Sequence, residues 1–185
     1  IRPRIKDSDE KGKWPGELTK KLAEMGLLGI VISPEYSGAG YSNVDYVIIL
    51  EEISKVDPSV GLVVAAHNSL CSNHLNLFAS EEQKRKYLTR LASGQTLGAW
   101  GLTESEAGSD AAAIKTKAVK KADHWLLNGS KLFITNGSLA EILVVMAVTD
   151  PKKGRDGISA FILEKGMKGF SPGKKEDKLG IRAAD

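Results

Sequence analysis

Apolar residues in the first half of the chain recur at the spacing of an amphipathic helix. Two such stripes follow Pro15 and Asn43, residues that favour the first position and the N-cap of a helix respectively. The stripes consist of Leu18, Leu22 and Met25, and of Val47, Leu50 and Ile53. The pattern therefore predicts two amphipathic helices, the first of which ends where Gly26 and Gly29 interrupt it.

The stretch from Val60 to Phe78 is apolar on nearly all sides, which is typical of a helix buried in a protein core. Ser80 begins a further helix, since Gln83 completes a capping box with it and Gly94 stands at the expected end. Residues 1–95 are therefore predicted to form a helical domain.

Beyond Gly94 the apolar period shortens to about 2 residues, the period of a β-strand. Asn128-Gly129 fits a type I′ turn, which would join Trp125–Leu127 and Leu132–Thr135 in a hairpin. The other predicted strands are Leu97–Thr103, Ile114–Lys120, Ile142–Thr149 and Ile158–Leu163. Residues 96–185 are thus predicted to form a second domain, an antiparallel β unit that follows the helical one.

Length and charge limit the classes of protein that the chain can represent. Its 185 residues, 42% of them hydrophobic, suffice for one large or two small globular domains. Lys and Arg number 26 against 23 Asp and Glu, a balance too even to indicate nucleic-acid binding. The basic run from Lys115 to Lys121 is interpreted as a solvated face.

A lone cysteine excludes an internal disulfide. Cys71 lies in an apolar helical stretch, so we interpret it as a small core residue and the compartment as reducing and intracellular. No apolar run approaches the ~20 residues of a membrane span, which indicates a soluble protein. Because no leader-like segment opens the chain, Ile1 is expected to be a cut inside a longer sequence.

The segment Gly101-Leu102-Thr103-Glu104-Ser105-Glu106-Ala107-Gly108-Ser109-Asp110 leaves a predicted strand and enters a loop of small residues. Its successive amides and the Thr103 and Ser109 hydroxyls could converge on one anion, such as a pyrophosphate. The same residues also fit an ordinary turn built on Gly108 and Asp110. Asp110 itself is expected to cap nearby amides rather than to act as a base.

A second segment, Asn128 to Gly137, carries an aromatic residue and a hydroxyl two positions apart. If this stretch is a strand, Phe133 and Thr135 share one face. Ring stacking and a hydrogen bond from the hydroxyl would suit an isoalloxazine ring, but an aromatic residue packed in a core explains the pattern equally well. The spacing alone leaves both interpretations open.

Together these two segments resemble the acyl-CoA dehydrogenase family. Gly101 to Asp110, continued by Ala111-Ala112-Ala113, is similar to the family's first signature, and Asn128-Gly129-x-Lys131-x-x-Ile134-Thr135-Asn136-Gly137 is similar to its flavin-ring strand. Pro34 to Gly40 and Gly173 to Arg182 resemble further family segments, the latter common in short-chain, butyryl-type members. The resemblance extends over essentially the whole chain.

The resemblance implies an α+β fold of several domains: an all-α N-terminal domain, an antiparallel β-barrel middle domain that is incomplete here, and a C-terminal four-helix domain absent from this chain. It implies FAD as the cofactor, with Thr135 near flavin N5 and Ser109 also touching the substrate. The implied FAD contacts are Trp100, Leu102, Thr103, Gly108, Ser109, Phe133, Ile134 and Thr135.

The implied activity is dehydrogenation of an acyl-CoA thioester, in which a glutamate removes the α-proton and flavin N5 receives the β-hydride. That glutamate belongs to the C-terminal domain and is expected beyond Asp185, so no residue of this chain is assigned as the base. We therefore expect residues 1–185 alone to be inactive. The family also implies electron-transfer flavoprotein as the electron acceptor, a homotetramer, and a bacterial cytoplasm or a mitochondrial matrix.

Two departures from the family pattern bear on the site. Phe133 stands where many members have Trp, which keeps an aromatic surface without the indole N–H. Ser105-Glu106 replaces the commoner Pro-Gly, which makes the loop less rigid and adds a negative charge near the expected phosphate position.

Other candidate residues have simpler interpretations. His67 and His74 share one helix face, but no carboxylate or thiol joins them at ligand spacing, so we expect no metal. Ala66 and Leu70, one helical turn apart, are candidates for a wall of the acyl pocket or for simple core residues.

Two other functions stay open on the sequence. A non-catalytic flavin- or acyl-thioester-binding module would keep the fold and lack the base. An acyl-CoA oxidase would act on the same two carbons and pass its electrons to oxygen.

Overall fold

The computed structural model describes residues 1–185, whose α-helices end at residue 92 and are followed by a five-stranded sheet. The helices are α1 (Ile5–Lys11), α2 (Gly16–Glu24), α3 (Asn43–Val56), α4 (Pro58–Ala65), α5 (Asn73–Phe78), α6 (Glu81–Gln83) and α7 (Thr89–Ala92). Two π-helical turns, Ala66–Ser72 and Lys84–Leu88, join α4 to α5 and α6 to α7, so that each pair runs on without a break. None of the helices combines the length and the apolarity that a membrane crossing requires.

Capping boxes mark the starts of α3 and α6. The Ser42 hydroxyl accepts from the Asp45 amide, and the Asp45 carboxylate accepts from the Ser42 amide. The N-cap of α3 is therefore Ser42 and not the predicted Asn43, because Asp45 stands at the position that completes a capping box with Ser42. The capping box of Ser80 and Gln83 is confirmed.

The predicted apolar stripes are buried only in part. Leu22 and Ile53 are buried, but the prediction was wrong for Met25, which is 71% exposed, and for Val47, which is 59% exposed. The stripe of α3 that faces the core consists of Tyr46, Ile49, Leu50 and Ile53. Several apolar residues compete for burial on this helix, and helical spacing alone does not decide which face the core covers.

The helix predicted from Val60 to Phe78 is confirmed as α4, the first π-helical turn and α5. Its last turn is the most exposed part, since Leu77 and Phe78 are 63% and 74% exposed, and Leu62 and Leu70 also face solvent in part. A π-turn inside an α-helix is uncommon and is found frequently at functional sites. This turn contains three fully buried polar residues, His67, Asn68 and Ser72.

The His67 side chain joins the helices to the sheet. Its Nε2 lies 2.9 Å from the Leu28 carbonyl oxygen and 3.2 Å from that of Leu91, and its Nδ1 accepts from the Gly98 amide at 2.9 Å. Because Nδ1 accepts, the ring proton lies on Nε2 and the imidazole is neutral. Burial lowers the pKa of His67 to about 4, although the two carbonyls oppose that shift.

The strands form one mixed sheet around a central strand, β4. They are β1 (Gly98–Gly101), β2 (Lys117–Lys120), β3 (Trp125–Asn128), β4 (Ile142–Val148) and β5 (Ile158–Glu164). β5 runs antiparallel along one edge of β4, whereas β1 and then β2 run parallel along its other edge. The prediction of a purely antiparallel unit was wrong, because apolar alternation specifies the faces of a strand and not the direction of its neighbour. The sheet does not close on itself within these residues.

A β-hairpin forms, but not at Asn128-Gly129. β2 and β3 pair around Lys121–His124, with the Lys121 amide donating to the His124 carbonyl. The predicted strand Leu132–Thr135 is absent. A Cβ at Gly129 would clash with the side chain of Thr116. Glycine is therefore needed here because Thr116 lies close to the backbone, and not because the chain forms a type I′ turn.

Both faces of β4 are buried, which explains its unbroken apolar sequence. Ile142 and Val144 pack beneath the helices with Cys71. Leu143 and Val145 pack on the opposite face of the sheet. The two faces thus belong to separate parts of the hydrophobic core.

The last residues of the chain cross back to the helices. Ala184 is fully buried in the helical core. The Arg182 amide donates to the Asp9 carboxylate at 3.0 Å, and Lys175 Nζ donates to the Gly12 carbonyl at 2.6 Å. The helical and β parts of the chain therefore share buried contacts at both His67 and Ala184.

We expect the free energy of unfolding of the intact protein to fall as the pH drops from 6.5 to about 4. In this window the unfolded chain binds a proton at His67 that the folded protein does not accept, so protonation favours unfolding. The loss at pH 4 amounts to about 3 kcal/mol. Urea unfolding between pH 7 and pH 4 measures it. His67→Gln should flatten the pH dependence and His74→Gln should retain most of it, whereas an unchanged slope in His67→Gln would contradict this role.

Candidate functional site

The end of β1, the segment after Gly129 and one side of the first π-helical turn enclose a cleft of about 140 Å³. The lining residues are Ala66, Leu70, Trp100, Leu102, Thr103, Phe133, Ile134 and Thr135. The cleft thus unites six of the eight expected cofactor contacts with both expected pocket-wall residues, while Gly108 and Ser109 lie outside it.

Several polar groups of the cleft have no partner in the chain. The hydroxyls of Thr116 and Thr149 form hydrogen bonds within the protein, whereas those of Thr103 and Thr135 form none. The Trp100 Nε1 is buried and also unpaired. Buried polar groups are nearly always hydrogen-bonded, so each exception requires an explanation. Trp100 Nε1 is such an exception, whereas Thr103 and Thr135 are half-buried, so their hydroxyls are free to donate to a ligand in the cleft.

Phe133 adopts a backbone conformation that residues other than glycine rarely take. Its φ is 56°, in the left-handed region, and the residue is 73% exposed. Such strain costs about 1–3 kcal/mol and is concentrated at functional sites. The expected juxtaposition with Thr135 exists because both line the cleft, but it results from a turn of the chain and not from strand alternation.

Asn136 anchors the segment that carries Ile134 and Thr135. It is fully buried with a φ of 67°, and its Nδ2 donates to the Gly98 carbonyl at 3.1 Å. This bond holds the segment against the start of β1, two residues before Trp100. Asn136 belongs to the flavin-ring motif, but the motif alone predicted no role for it.

Asp185, beyond which the catalytic base is expected, lies outside the cleft. Its carboxylate accepts from the Ser138 amide at 2.6 Å and from the Ser138 hydroxyl at 2.7 Å. Its backbone carbonyl accepts from the Asn136 amide at 3.4 Å. Both carboxylate oxygens therefore have donors within the chain, and Asp185 fixes the segment after Thr135 and is not itself placed to act as the base. A glutamate beyond Asp185 stays a prediction.

Gly108 and Ser109 lie in an exposed loop. A Cβ at Gly108 would meet no atom within 4 Å, so the loop is open to approach from solvent. The expectation that Asp110 caps nearby amides with its side chain was wrong, because its backbone carbonyl accepts from the Ala113 amide in a 3-10 turn instead.

Glu104 stabilises this loop, a role that the sequence did not predict. Its carboxylate accepts from Lys131 Nζ at 2.6 Å, from the Thr116 hydroxyl at 2.5 Å and from the Lys115 amide at 2.6 Å. Lys131 also donates to the Leu102 carbonyl at 2.9 Å. Burial alone would raise the pKa of Glu104, but these bonds, led by that from Lys131, hold its pKa at about 2. The only signal in the sequence was opposite charge at two positions 27 residues apart, which is too common to indicate a pair.

A second ion pair lies on the surface of the same loop. Lys115 Nζ contacts the Glu106 carboxylate, and both side chains are well exposed. The additional negative charge noted in the sequence is therefore paired with a cation. Glu104 and Ala107 exchange backbone hydrogen bonds of 2.9 and 3.2 Å, which close the turn at Ser105-Glu106 without the expected Pro-Gly.

The remaining candidate residues take part in packing. The His74 ring centroid lies 5.0 Å from that of Phe78 and 6.4 Å from that of Trp100. Cys71 is confirmed as a core residue, and burial raises the pKa of its thiol to about 12. No group of three or more His, Cys, Asp or Glu side chains in residues 1–185 is arranged to hold a metal ion.

Known proteins match the chain over its whole length. The family model of the acyl-CoA dehydrogenase N-terminal domain matches residues 1–95, and that of the middle domain matches residues 99–185. A short-chain specific acyl-CoA dehydrogenase of Clostridium acetobutylicum is 50% identical over 100% of this chain and 48% of its own length. The chain therefore spans about half the length of the curated relatives it matches.

Solved structures are similar over the same extent. Butyryl-CoA dehydrogenase from Megasphaera elsdenii is 44% identical with a TM-score of 0.95, covering 100% of this chain and 49% of that one. A glutaryl-CoA dehydrogenase from Mycobacterium smegmatis in complex with FADH2 is 35% identical with a TM-score of 0.93, covering 100% of this chain and 46% of that one. The similarity in sequence is therefore accompanied by a similar backbone fold.

Replacing Glu104 should destabilise the protein in a pH-dependent manner. At pH 7 we expect Glu104→Gln to lower the free energy of unfolding by about 3 kcal/mol, because the Lys131 charge loses its partner. The carboxylate has its pKa lowered from 4.5 to about 2, so its contribution is complete above pH 4.5 and disappears as the pH falls towards 2. Urea unfolding of the unaltered protein and of Glu104→Gln measures the difference between their free energies of unfolding. Glu106→Gln is the matched control, with an effect within about 0.5 kcal/mol, and a gap for Glu104→Gln that does not narrow on acidification would contradict the assignment.

Proposed function

The chain belongs to the acyl-CoA dehydrogenase family, and we propose that residues 1–185 form the cofactor-holding part of an FAD-dependent enzyme that oxidises an acyl-CoA thioester. The reaction would create a double bond between the α and β carbons of the acyl group, through loss of an α-proton and a β-hydride. Because the chain spans about half the length of its relatives, the activity, the substrate and the electron acceptor of the whole protein are all part of this proposal.

The convergence of two distant segments on one cleft carries the proposal. Residues 100–103 and 133–135 are separated by a β-hairpin in the sequence, yet they line the same space of about 140 Å³. An isoalloxazine ring presents several hydrogen-bond acceptors on a flat aromatic system. Unpaired hydroxyls and an indole N–H, set among apolar side chains, fit such a group.

Each expected contact has a role in this arrangement. Phe133 and Ile134 would pack along the flavin ring, with the Thr135 hydroxyl near N5. Gly108 and Ser109 would contact the pyrophosphate, and Ser109 would also touch the thioester. The open approach to Gly108 and the exposure of Ser109 support that role. The further FAD contacts in the proposal are Trp100, Leu102 and Thr103.

FAD, when bound, would supply the hydride acceptor at N5. The Thr135 hydroxyl would donate a hydrogen bond to the flavin and stabilise the negative charge that the ring gains on reduction, so this contact would be stronger in the transition state than before it. Ala66 and Leu70 would exclude water beside the acyl chain. We assign the base to a glutamate beyond Asp185, and we therefore expect residues 1–185 alone to be inactive.

The broader architecture is part of the same proposal. We take residues 1–95 and 96–185 as two domains, a division that the two separate family models support. The mixed sheet would belong to a β-barrel, and a C-terminal four-helix domain would account for part of the relatives' additional length. A homotetramer, electron transfer to electron-transfer flavoprotein, and a bacterial cytoplasm or a mitochondrial matrix follow from the family resemblance.

The identity of the bound cofactor tests the proposal. We expect the intact protein to release FAD and not FMN, because the loop from Gly101 to Asp110 has donors for the pyrophosphate that FMN lacks. Mass spectrometry of the released cofactor measures this. Release of FMN or of a nicotinamide would refute the assignment.

Reduction and reoxidation of the flavin distinguish a dehydrogenase from an oxidase and from a non-catalytic module. Anaerobic butyryl-CoA should bleach the bound flavin, and the reduced enzyme should then react slowly with oxygen. Rapid reoxidation by an oxygen pulse would identify an oxidase. A protein that binds FAD but is reduced by no acyl-CoA would be a non-catalytic module.

Thr135→Val should slow flavin reduction more than it weakens FAD binding. The loss of transition-state stabilisation should be about 1–3 kcal/mol, the cost of removing one buried hydrogen-bond partner. Stopped-flow absorbance gives the reduction rate, and a binding titration gives the affinity. Thr149→Val, which removes a threonine hydroxyl outside the cleft, is the control. An unchanged reduction rate in Thr135→Val would exclude a hydroxyl contact at N5.

A further inference from the structure

One buried ion pair joins the two segments that line the cleft. Lys131 precedes Phe133 by two residues, and its Nζ donates to the Leu102 carbonyl at 2.9 Å and to the Glu104 carboxylate at 2.6 Å. The two charged side chains are only 10% and 9% exposed. Neither of them lines the cleft itself. A single ammonium group thus holds the end of β1 against the segment of Phe133 to Thr135.

This contact determines the orientation of the peptide between Leu102 and Thr103. The carbonyl and the N–H of a trans peptide point in opposite directions, and the chain has no cis peptide bond. With the Leu102 carbonyl turned towards Lys131, the Thr103 amide faces away from it and has no backbone partner. The Thr103 carbonyl accepts from the Leu132 amide at 2.9 Å. Lys131 and Leu132 therefore bind the peptide groups on both sides of Thr103.

Glu104 in turn holds the ammonium group in place and neutralises it. Its carboxylate is itself fixed by the amides of Lys115 and Thr116, at 2.6 and 3.0 Å, which lead into β2. Removing one member of a buried pair leaves the other charge without compensation. Such a charge acts on any group in the neighbouring cleft whose own charge changes.

We propose that Lys131 and Glu104 form a positioning pair for the bound flavin. Lys131 orients the Leu102–Thr103 peptide so that its amide donates into the cleft, and Glu104 keeps the electrostatic environment of the ring neutral. The inference rests on the proposed function, because it takes the cleft ligand to be a flavin. Neither residue takes part in the chemical step.

The two members of the pair should have opposite effects on the midpoint potential of the flavin. Lys131→Met leaves an unpaired carboxylate, which disfavours the more electron-rich reduced flavin and makes the potential more negative. Glu104→Gln leaves an unpaired ammonium group and makes the potential more positive. Both variants should also weaken FAD binding, by about tenfold or more. A role in folding alone would move both potentials in the same direction or not at all.

The exposed pair on the same loop provides matched controls. Glu106→Gln and Lys115→Met make equivalent changes in charge where solvent screens them, so the midpoint potential of the flavin should match that of the unaltered protein. Lys131→Arg is the milder variant should Lys131→Met fail to fold. A guanidinium group keeps the charge but does not reproduce both contacts of a compact ammonium, so it should weaken FAD binding by about threefold to tenfold while changing the potential little.

Redox titration, cofactor binding and thermal unfolding of the intact protein distinguish the outcomes. An unaltered protein that holds no flavin would overturn the proposed function and the pair with it. If the unaltered protein holds FAD, either of two results overturns the positioning pair. One is unchanged FAD affinity in folded Glu104→Gln and Lys131→Arg. The other is a pair of midpoint potentials, in Glu104→Gln and Lys131→Met, that are unchanged or shift in the same direction. Opposite shifts with weakened binding establish it.

Discussion

A neutral imidazole buried among three backbone groups is the interaction on which the whole arrangement depends. His67 binds the carbonyls of Leu28 and Leu91 and the amide of Gly98, so it joins the segment after α2, the end of α7 and the first strand. The next residue, Asn68, accepts from the Ile30 amide at 3.0 Å and donates to two further carbonyls. Backbone groups that would otherwise be buried without partners are thereby satisfied where helices meet sheet, and the π-helical turn that presents these side chains also supplies one wall of the cleft.

The sheet provides the other wall of the cleft, because two short strands, and not one long strand, occupy one edge of β4. β1 and β2 follow one another along the same edge of β4, and the chain between them, from Leu102 to Thr116, leaves the sheet and returns. Its polar backbone needs partners other than a strand ladder, and Glu104 supplies several of them. The segment from Leu102 to Thr116 can therefore place Thr103 at the cleft and form an open loop around Gly108 while keeping a defined conformation.

Most polar groups of the core are hydrogen-bonded, although Ser72 Oγ and Asn136 Oδ1 are buried without a partner. His67 and Asn68 are fully buried and fully bonded, whereas the hydroxyls and the indole N–H at the cleft have no partner in the chain. Phe133 adds an exposed ring on a strained backbone. Unpaired hydrogen-bond donors and a strained backbone are expected where a ligand binds, and they are the basis for proposing a flavin in the cleft. The Ser72 hydroxyl is also buried and unpaired, and nothing in the structure explains it.

The sequence by itself determined the features that depend on residues close together in the chain. The Ser80 capping box, the core helix from Val60 to Phe78 and the approximate positions of five strands follow from side chains a few positions apart. The motifs also named six of the residues that line the cleft, although strand alternation was not the reason that they meet.

Only the tertiary structure decided the parallel pairing of β1 with β4, the hairpin at Lys121–His124 and the exposure of Val47. Only it revealed that Glu104 binds Lys131, 27 residues away, and that Asp185 binds Ser138. Such contacts depend on which surfaces the rest of the chain covers and which unpaired backbone groups it brings near a charge. No local period encodes this, because the energy of a buried charge or of a strand edge is set by neighbours that are distant in sequence.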